Sequence, residues 1–171
     1  LLVLGGSLGA KKINELIPLI KTPLNIWHQT GDSHIETTKL AYQDSLHLNV
    51  HIESFIENIA EAYEWADLVI CRAGAMTISE LIATKSIAIL IPFPYAVDDH
   101  QTQNAKKLSD VGAGLLLDES NLDVNEIDDI LQKMTPAKLE LMTNILEKLQ
   151  TENAEKVITD YLLMPSRSNS N

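Results

Sequence analysis

The sequence predicts an α/β fold, a Rossmann-like doubly wound parallel sheet of six strands with extra helices at its C-terminal end. Two features carry that prediction. Short apolar runs alternate with stretches of helical period along most of the 171 residues, the pattern of successive βα units. The runs are apolar on both faces, as strands are when helices cover both sides of a parallel sheet.

Leu1 to Leu4 (LLVL) reads as the first strand, ending at the loop GGSLGA, Gly5 to Ala10. From Ala10 to Ile20, apolar residues at 13, 16, 17 and 20 keep a helical spacing until Pro23. Asn25 to Thr30 is the second strand, closed by Gly31. Ser33 to Ser45 is a weakly amphipathic helix and Val50 to Phe55 the third strand. Asn58 to Ala66 is a helix with Ile59, Ala62, Tyr63 and Ala66 on one face, and Leu68 to Cys71 is the fourth strand. A helix over Thr77 to Thr84, a fifth strand over Ile87 to Pro92, a helix over His100 to Ser109 and a sixth strand over Gly114 to Leu117 complete the alternation. The remainder reads as three helices, Val124 to Met134, Ala137 to Leu149 and Asn153 to Met164. Pro165 then opens a Ser/Asn-rich tail with a disordered composition, so residues 1–164 are expected to be one domain and 165–171 a disordered tail.

Composition narrows the function. A content of 45% hydrophobic and 22% charged residues is globular, and a formal net charge of −11 disfavours a nucleic-acid or anionic-membrane surface. An anionic small ligand remains compatible, because helix N-termini hold phosphate locally. The single cysteine, Cys71, fits a reducing compartment. No apolar run has transmembrane length, and no signal peptide is visible. The chain opens on Leu1 already in strand pattern, so it is expected to be a piece of a longer protein.

Three segments could carry chemistry, each with a purely structural alternative. Glycines in GGSLGA allow backbone N–H groups to approach a phosphate, or simply serve a tight βα turn. After Gly74, residues Ala75, Met76 and Thr77 fall at a helix opening suited to a diphosphate, and Glu80 a turn later could accept both ribose hydroxyls. Thr77-x-x-Glu80 is equally a capping box. In the third segment, Asp98 or Asp99 could cap a helix. His100, Gln101 and Asn104 would there face a sugar. No third carboxylate or histidine stands at ligand spacing, so no metal or other cofactor is expected, and His28 reads as structural.

GGSLGA, Phe55-Ile56-Glu57-Asn58-Ile59, CRAGAMTISELIA and IPFPYAVDDHQTQNA, in that order, resemble the C-terminal, donor-binding half of the MurG family of bacterial UDP-N-acetylglucosamine transferases. The resemblance runs from Leu1 to about Leu163 and implies one half of a GT-B fold. It also implies a place in peptidoglycan synthesis, cell wall biogenesis, cell shape and cell division, the step that adds GlcNAc to lipid I to form lipid II. Carried over by position, Ser7 would contact the donor, with Gly6 and Gly9 beside it. Ile56 would offer backbone groups to the uracil. The run Ala75, Met76, Thr77, Ile78, Ser79 and Glu80, preceded by Gly74, would hold the diphosphate and ribose. Gln101 would read the sugar, with His100 and Asn104 on the same face. Leu8, Ala73 and His100 depart from the polar, Ser and Gln residues frequent there. The family's N-terminal acceptor domain, with its general base and membrane contact, has no counterpart in this sequence. No catalytic residue is therefore expected in this chain, which should bind UDP-GlcNAc without transferring it. The complete enzyme would lie in the cytoplasm, peripheral to the inner membrane. Two other readings are a stand-alone donor subunit of a split transferase and a non-catalytic nucleotide-sugar-binding module.

Overall fold

A computed structural model describes residues 1–5, 10–45, 48–96 and 99–163, with side chains through Glu152. Among these, six strands form one parallel sheet in the order β3-β2-β1-β4-β5-β6. The strands are β1 Leu2–Leu4, β2 Asn25–Gln29, β3 Asn49–Glu53, β4 Val69–Cys71, β5 Ala88–Leu90 and β6 Gly114–Leu116. The helices between them are α1 Lys11–Leu16, α2 Ile35–Tyr42, α3 Ile59–Trp65, α4 Ala75–Thr84 and α5 His100–Ser109. Helices α6 (Val124–Lys133) and α7 (Pro136–Leu163) follow. The predicted fold class holds, and α5 has the limits read from the sequence.

The sheet grows outward from β1 in two directions, through β2 to β3 and through β4 to β6. With right-handed crossovers, α1 and α2 fall on one face and α3, α4 and α5 on the other. The strand order reverses between β1 and β4, which opens a crevice at their C-terminal ends. The core is centred on the middle strands: Leu2, Val3, Val69, Ile70, Ala88, Ile89 and Leu90 are fully buried. Gly114 fits the close approach of β6 to β5, where an added Cβ would stand 3.2 Å from the Ala88 carbonyl oxygen and would press on it.

Two expectations fail here. The predicted break between two C-terminal helices does not occur, and α7 runs through it to Leu163. Nothing between Leu149 and Asn153 is a glycine or proline. Thr151 satisfies its hydroxyl on the Glu147 carbonyl within the helix. Glu147 pairs with Lys85, and the Gln150 amide donates to the Ala83 carbonyl, so this part of α7 is fastened to the end of α4. The proposed tail, residues 165–171, lies outside the described residues.

The second failure is the capping box. Helix α4 begins at Ala75 with Gly74 at the cap, so Thr77 is its third residue and Glu80 does not reach back to it. Glu80 instead accepts from the Tyr63 hydroxyl of α3 at 3.0 Å.

Helix α6 is anchored across the fold by Asp128, whose carboxylate accepts from the Lys21 and Thr22 amides and the Thr22 hydroxyl at 2.8–3.1 Å. Burial opposes ionisation of Asp128, but these four bonds prevail and hold it below its ordinary value.

The end of β2 is fixed by a buried polar network. Asn14 of α1 donates through Nδ2 to the Thr30 carbonyl at 2.9 Å, so its Oδ1 faces His28. His28 must then carry its proton on Nε2 and accept the Tyr42 hydroxyl at Nδ1, 2.8 Å away. Both ring nitrogens are satisfied in the neutral form, and burial pulls the pKa from 6.5 to about 3. A depressed histidine leaves the native state binding fewer protons than the unfolded chain. Its stabilising contribution is complete above 6.5 and is lost progressively as pH falls toward 3. Urea titrations should find the protein about 2 kcal/mol less stable at pH 5 than at pH 7, a loss that His28→Gln removes.

Candidate functional site

The crevice at the β1/β4 reversal holds a cavity of about 470 Å³. Leu4 and Gln29 enter it from the ends of β1 and β2, and Cys71 and Arg72 from the end of β4. Phe55, Ile56, Glu57 and Ile59 come from the β3–α3 loop and the start of α3. Tyr63 lies further along α3, and Met76, Thr77 and Glu80 sit on the first turns of α4.

Each wall has a local cause. Gly74 enters α4 in extended conformation and offers no capping side chain. Ile78 is the first residue whose N–H finds an intrahelical acceptor, the Gly74 carbonyl at 3.0 Å. The N–H groups of Ala75, Met76 and Thr77 have no acceptor among the described residues, so the helix presents free donors and the positive end of its dipole. Ile78 is buried and packs in the core. The Ser79 hydroxyl is turned back onto the Ala75 carbonyl.

Glu80 is held by Tyr63 through one carboxylate oxygen, Oε2, and Oε1 has no partner among the described residues. Cys71 is buried beneath, and burial first, then the Glu80 charge, push its thiol up to about 12, so it is no nucleophile at neutral pH. The Ile56 side chain is buried, and its N–H donates to Gln29 Oε1 at 3.3 Å.

Arg72 closes the side toward β5. Its guanidinium contacts Glu119 in a bidentate pair at 2.5 and 3.0 Å. It also donates to the carbonyls of Ile91 and Pro92 at 3.2 and 3.3 Å and lies 5.4 Å from the Phe93 ring centre. One side chain thus joins the ends of β4 and β5 to the turn after β6.

The third sequence-identified segment lies beside this cavity rather than in its lining. Gln101 on α5 accepts the Phe93 N–H through Oε1 at 2.9 Å. Asn104 donates to the Ala73 carbonyl at 3.3 Å, tying α5 to the loop before α4. His100 begins α5 after Asp99, which has a left-handed φ of 55° and makes no side-chain cap. Ser7, Gly6, Gly9, Leu8 and Asp98 lie outside the described residues. Among the described residues, no group of three or more His, Cys, Asp or Glu could hold a metal, and no helix is long and apolar enough to cross a membrane.

Sequence reasoning missed Gln29, Tyr63 and Arg72. Gln29 and Arg72 could have been suspected from their place at strand C-termini. Tyr63 looked like one more apolar residue of a helix face.

Residues 1–161 match the model of the glycosyltransferase family 28 C-terminal domain. The chain is 44% identical over 164 residues to a protein of Vesicomyosocius okutanii, and 53% identical over 127 residues to one of Methylococcus capsulatus. Both are named UDP-N-acetylglucosamine–N-acetylmuramyl-(pentapeptide) pyrophosphoryl-undecaprenol N-acetylglucosamine transferase. These alignments cover 96% and 71% of this chain but 47% and 36% of those proteins, so the chain spans half or less of their length. The crystal structure of Acinetobacter baumannii MurG superposes with a TM-score of 0.81 at 37% identity, over 93% of this chain and 49% of that one. The glycosyltransferase VinC in complex with dTDP shares the fold at 15% identity and a TM-score of 0.61, over 92% of this chain and 40% of that one.

Proposed function

The chain belongs to the glycosyltransferase family 28 C-terminal domains, and on that premise we propose that it is the UDP-N-acetylglucosamine-binding half of a transferase that makes lipid II from lipid I. One observation carries the reading: the free N–H groups of the α4 N-terminus and the open Glu80 oxygen line the same crevice, at the reversal point of a doubly wound sheet. Uridine lies toward Ile56, its ribose on Glu80 and its diphosphate on Ala75, Met76 and Thr77. The sugar extends toward Gln101, whose amide nitrogen is left for a hydroxyl by the Phe93 bond. Ser7, in the glycine loop that follows β1 in the sequence, contacts the donor in this reading.

In this arrangement the leaving UDP is stabilised by backbone N–H groups and the helix dipole, which take up charge as the glycosidic bond breaks. No cation is needed for that role. The site that holds the lipid I hydroxyl and the base that deprotonates it come from another domain, as does contact with the cytoplasmic face of the membrane.

Calorimetry with UDP and UDP-GlcNAc tests the proposal. Both should bind within about tenfold of each other, because the base, ribose and diphosphate supply most of the interaction energy. A chelator should leave the affinities unchanged. A folded domain that binds neither ligand would overturn the reading.

A further inference from the structure

The sequence puts Asn104 on the sugar face, but its side chain turns to the loop between β4 and α4. Its orientation is dictated from both ends. A carbonyl can only accept, so the Ala73 oxygen, 3.3 Å away, meets Nδ2. An ammonium can only donate, so Lys107 meets Oδ1, at 3.2 Å. Ala73 is fully buried, and its carbonyl has no other donor among the described residues. The bond from the Ile91 N–H ends at the Cys71 carbonyl, so the sheet does not hold the Ala73–Gly74 peptide. Helix α5 lies on the β6 side of this turn, and the β1/β4 crevice lies on the other. A carbonyl held toward α5 therefore points away from the crevice. Across a trans peptide the N–H points opposite to the carbonyl, which aims the Gly74 N–H at the crevice. That N–H has no acceptor among the described residues, and it stands next to the free N–H groups of Ala75, Met76 and Thr77. A peptide followed by glycine turns over with little steric opposition, because glycine accepts φ of either sign. This one needs a hold, and Asn104 supplies it.

We propose that Asn104 is a positioning residue for the diphosphate: by holding the Ala73 carbonyl it keeps the Gly74 N–H turned to the crevice as one more donor. The inference rests on the donor reading above. It also gives α5 a second task. Gln101 holds the Phe93 N–H and Asn104, a turn later, holds the Ala73 carbonyl, so one helix fixes the loops after both β4 and β5.

Asn104→Leu keeps the size of the side chain and removes the donor without placing a charge near a phosphate. NMR titration of the nitrogen-labelled chain with UDP and with uridine separates positioning from support. In Asn104→Leu the UDP affinity should fall about tenfold while the uridine affinity holds, because only the diphosphate meets Gly74. In wild type the Gly74 amide should move downfield on saturation with UDP and stay in place with uridine. The UDP shift should be lost in the variant. Asn104→Ala should give the same split and replaces Asn104→Leu if that protein does not fold. A folded variant in which both affinities fall together, or neither falls, overturns the proposal and leaves Asn104 only a support for the loop. A Gly74 amide that UDP leaves unmoved in wild type overturns it as well, with no variant needed. Either result in a chain that binds UDP defeats this inference alone, whereas wild-type failure to bind UDP defeats the donor reading together with it.

Discussion

Replacing Glu80 with alanine should weaken UDP binding by roughly 10- to 100-fold, the loss of one or two charge-assisted hydrogen bonds worth about 1.5–3 kcal/mol. Tyr63 occupies Oε2 and steadies the carboxylate, while Oε1 has no competing partner among the described residues. Wild type should also prefer UDP over 2′-deoxy-UDP, and Glu80→Ala should erase that preference. Stability should fall by only about 1 kcal/mol, the loss of the Tyr63 bond, because α4 starts two residues before Thr77 and does not depend on Glu80 for its cap. A capping role would give the opposite result, a less stable domain with nucleotide affinity intact. Parallel calorimetry and urea unfolding on the same protein distinguish them.

Replacing Arg72 with alanine should cost about 2–3 kcal/mol of stability, between the values typical of exposed and of buried ion pairs, because this pair is half-buried. The Arg72 and Glu119 side chains are only 16% and 14% exposed. Arg72→Ala leaves the Glu119 carboxylate unpaired and frees the Ile91 and Pro92 carbonyls from their shared donor. The double variant Arg72→Met/Glu119→Leu should recover most of the loss, since apolar replacement of both partners removes the desolvated charge as well. Urea unfolding of the three proteins measures this. A loss below about 1 kcal/mol for Arg72→Ala would place the pair with exposed surface bridges.

How much of this was legible in the sequence depends on distance along the chain. Strand positions and α5 follow from local periodicity, and the sheet class from apolar runs such as Ile87 to Ile91, all buried. The helix-opening donors after Gly74 were also legible, because a glycine between a strand and a helical period marks that turn. Thr77-x-x-Glu80 misled because the motif describes a cap only where the helix starts at the next residue, and here a glycine starts it earlier. The same carboxylate could be assigned to Tyr63 only once α3 and α4 were packed together. Arg72 and Glu119 are 47 residues apart, and Gln29 and Ile56 are 27 apart. No period or spacing links them; the sheet order does, by bringing the ends of β2, β1, β4 and β5 to one rim.

The central claim is that one crevice holds a nucleoside diphosphate between the β3–α3 loop and the first turn of α4. A crystal structure of the domain with UDP-GlcNAc tests it most directly. The account predicts the uracil beside Ile56 and Gln29, both ribose hydroxyls on Glu80, and phosphate oxygens within hydrogen-bond reach of the Ala75, Met76 and Thr77 amides. Density for the nucleotide elsewhere on the domain, with this crevice left empty, would contradict it.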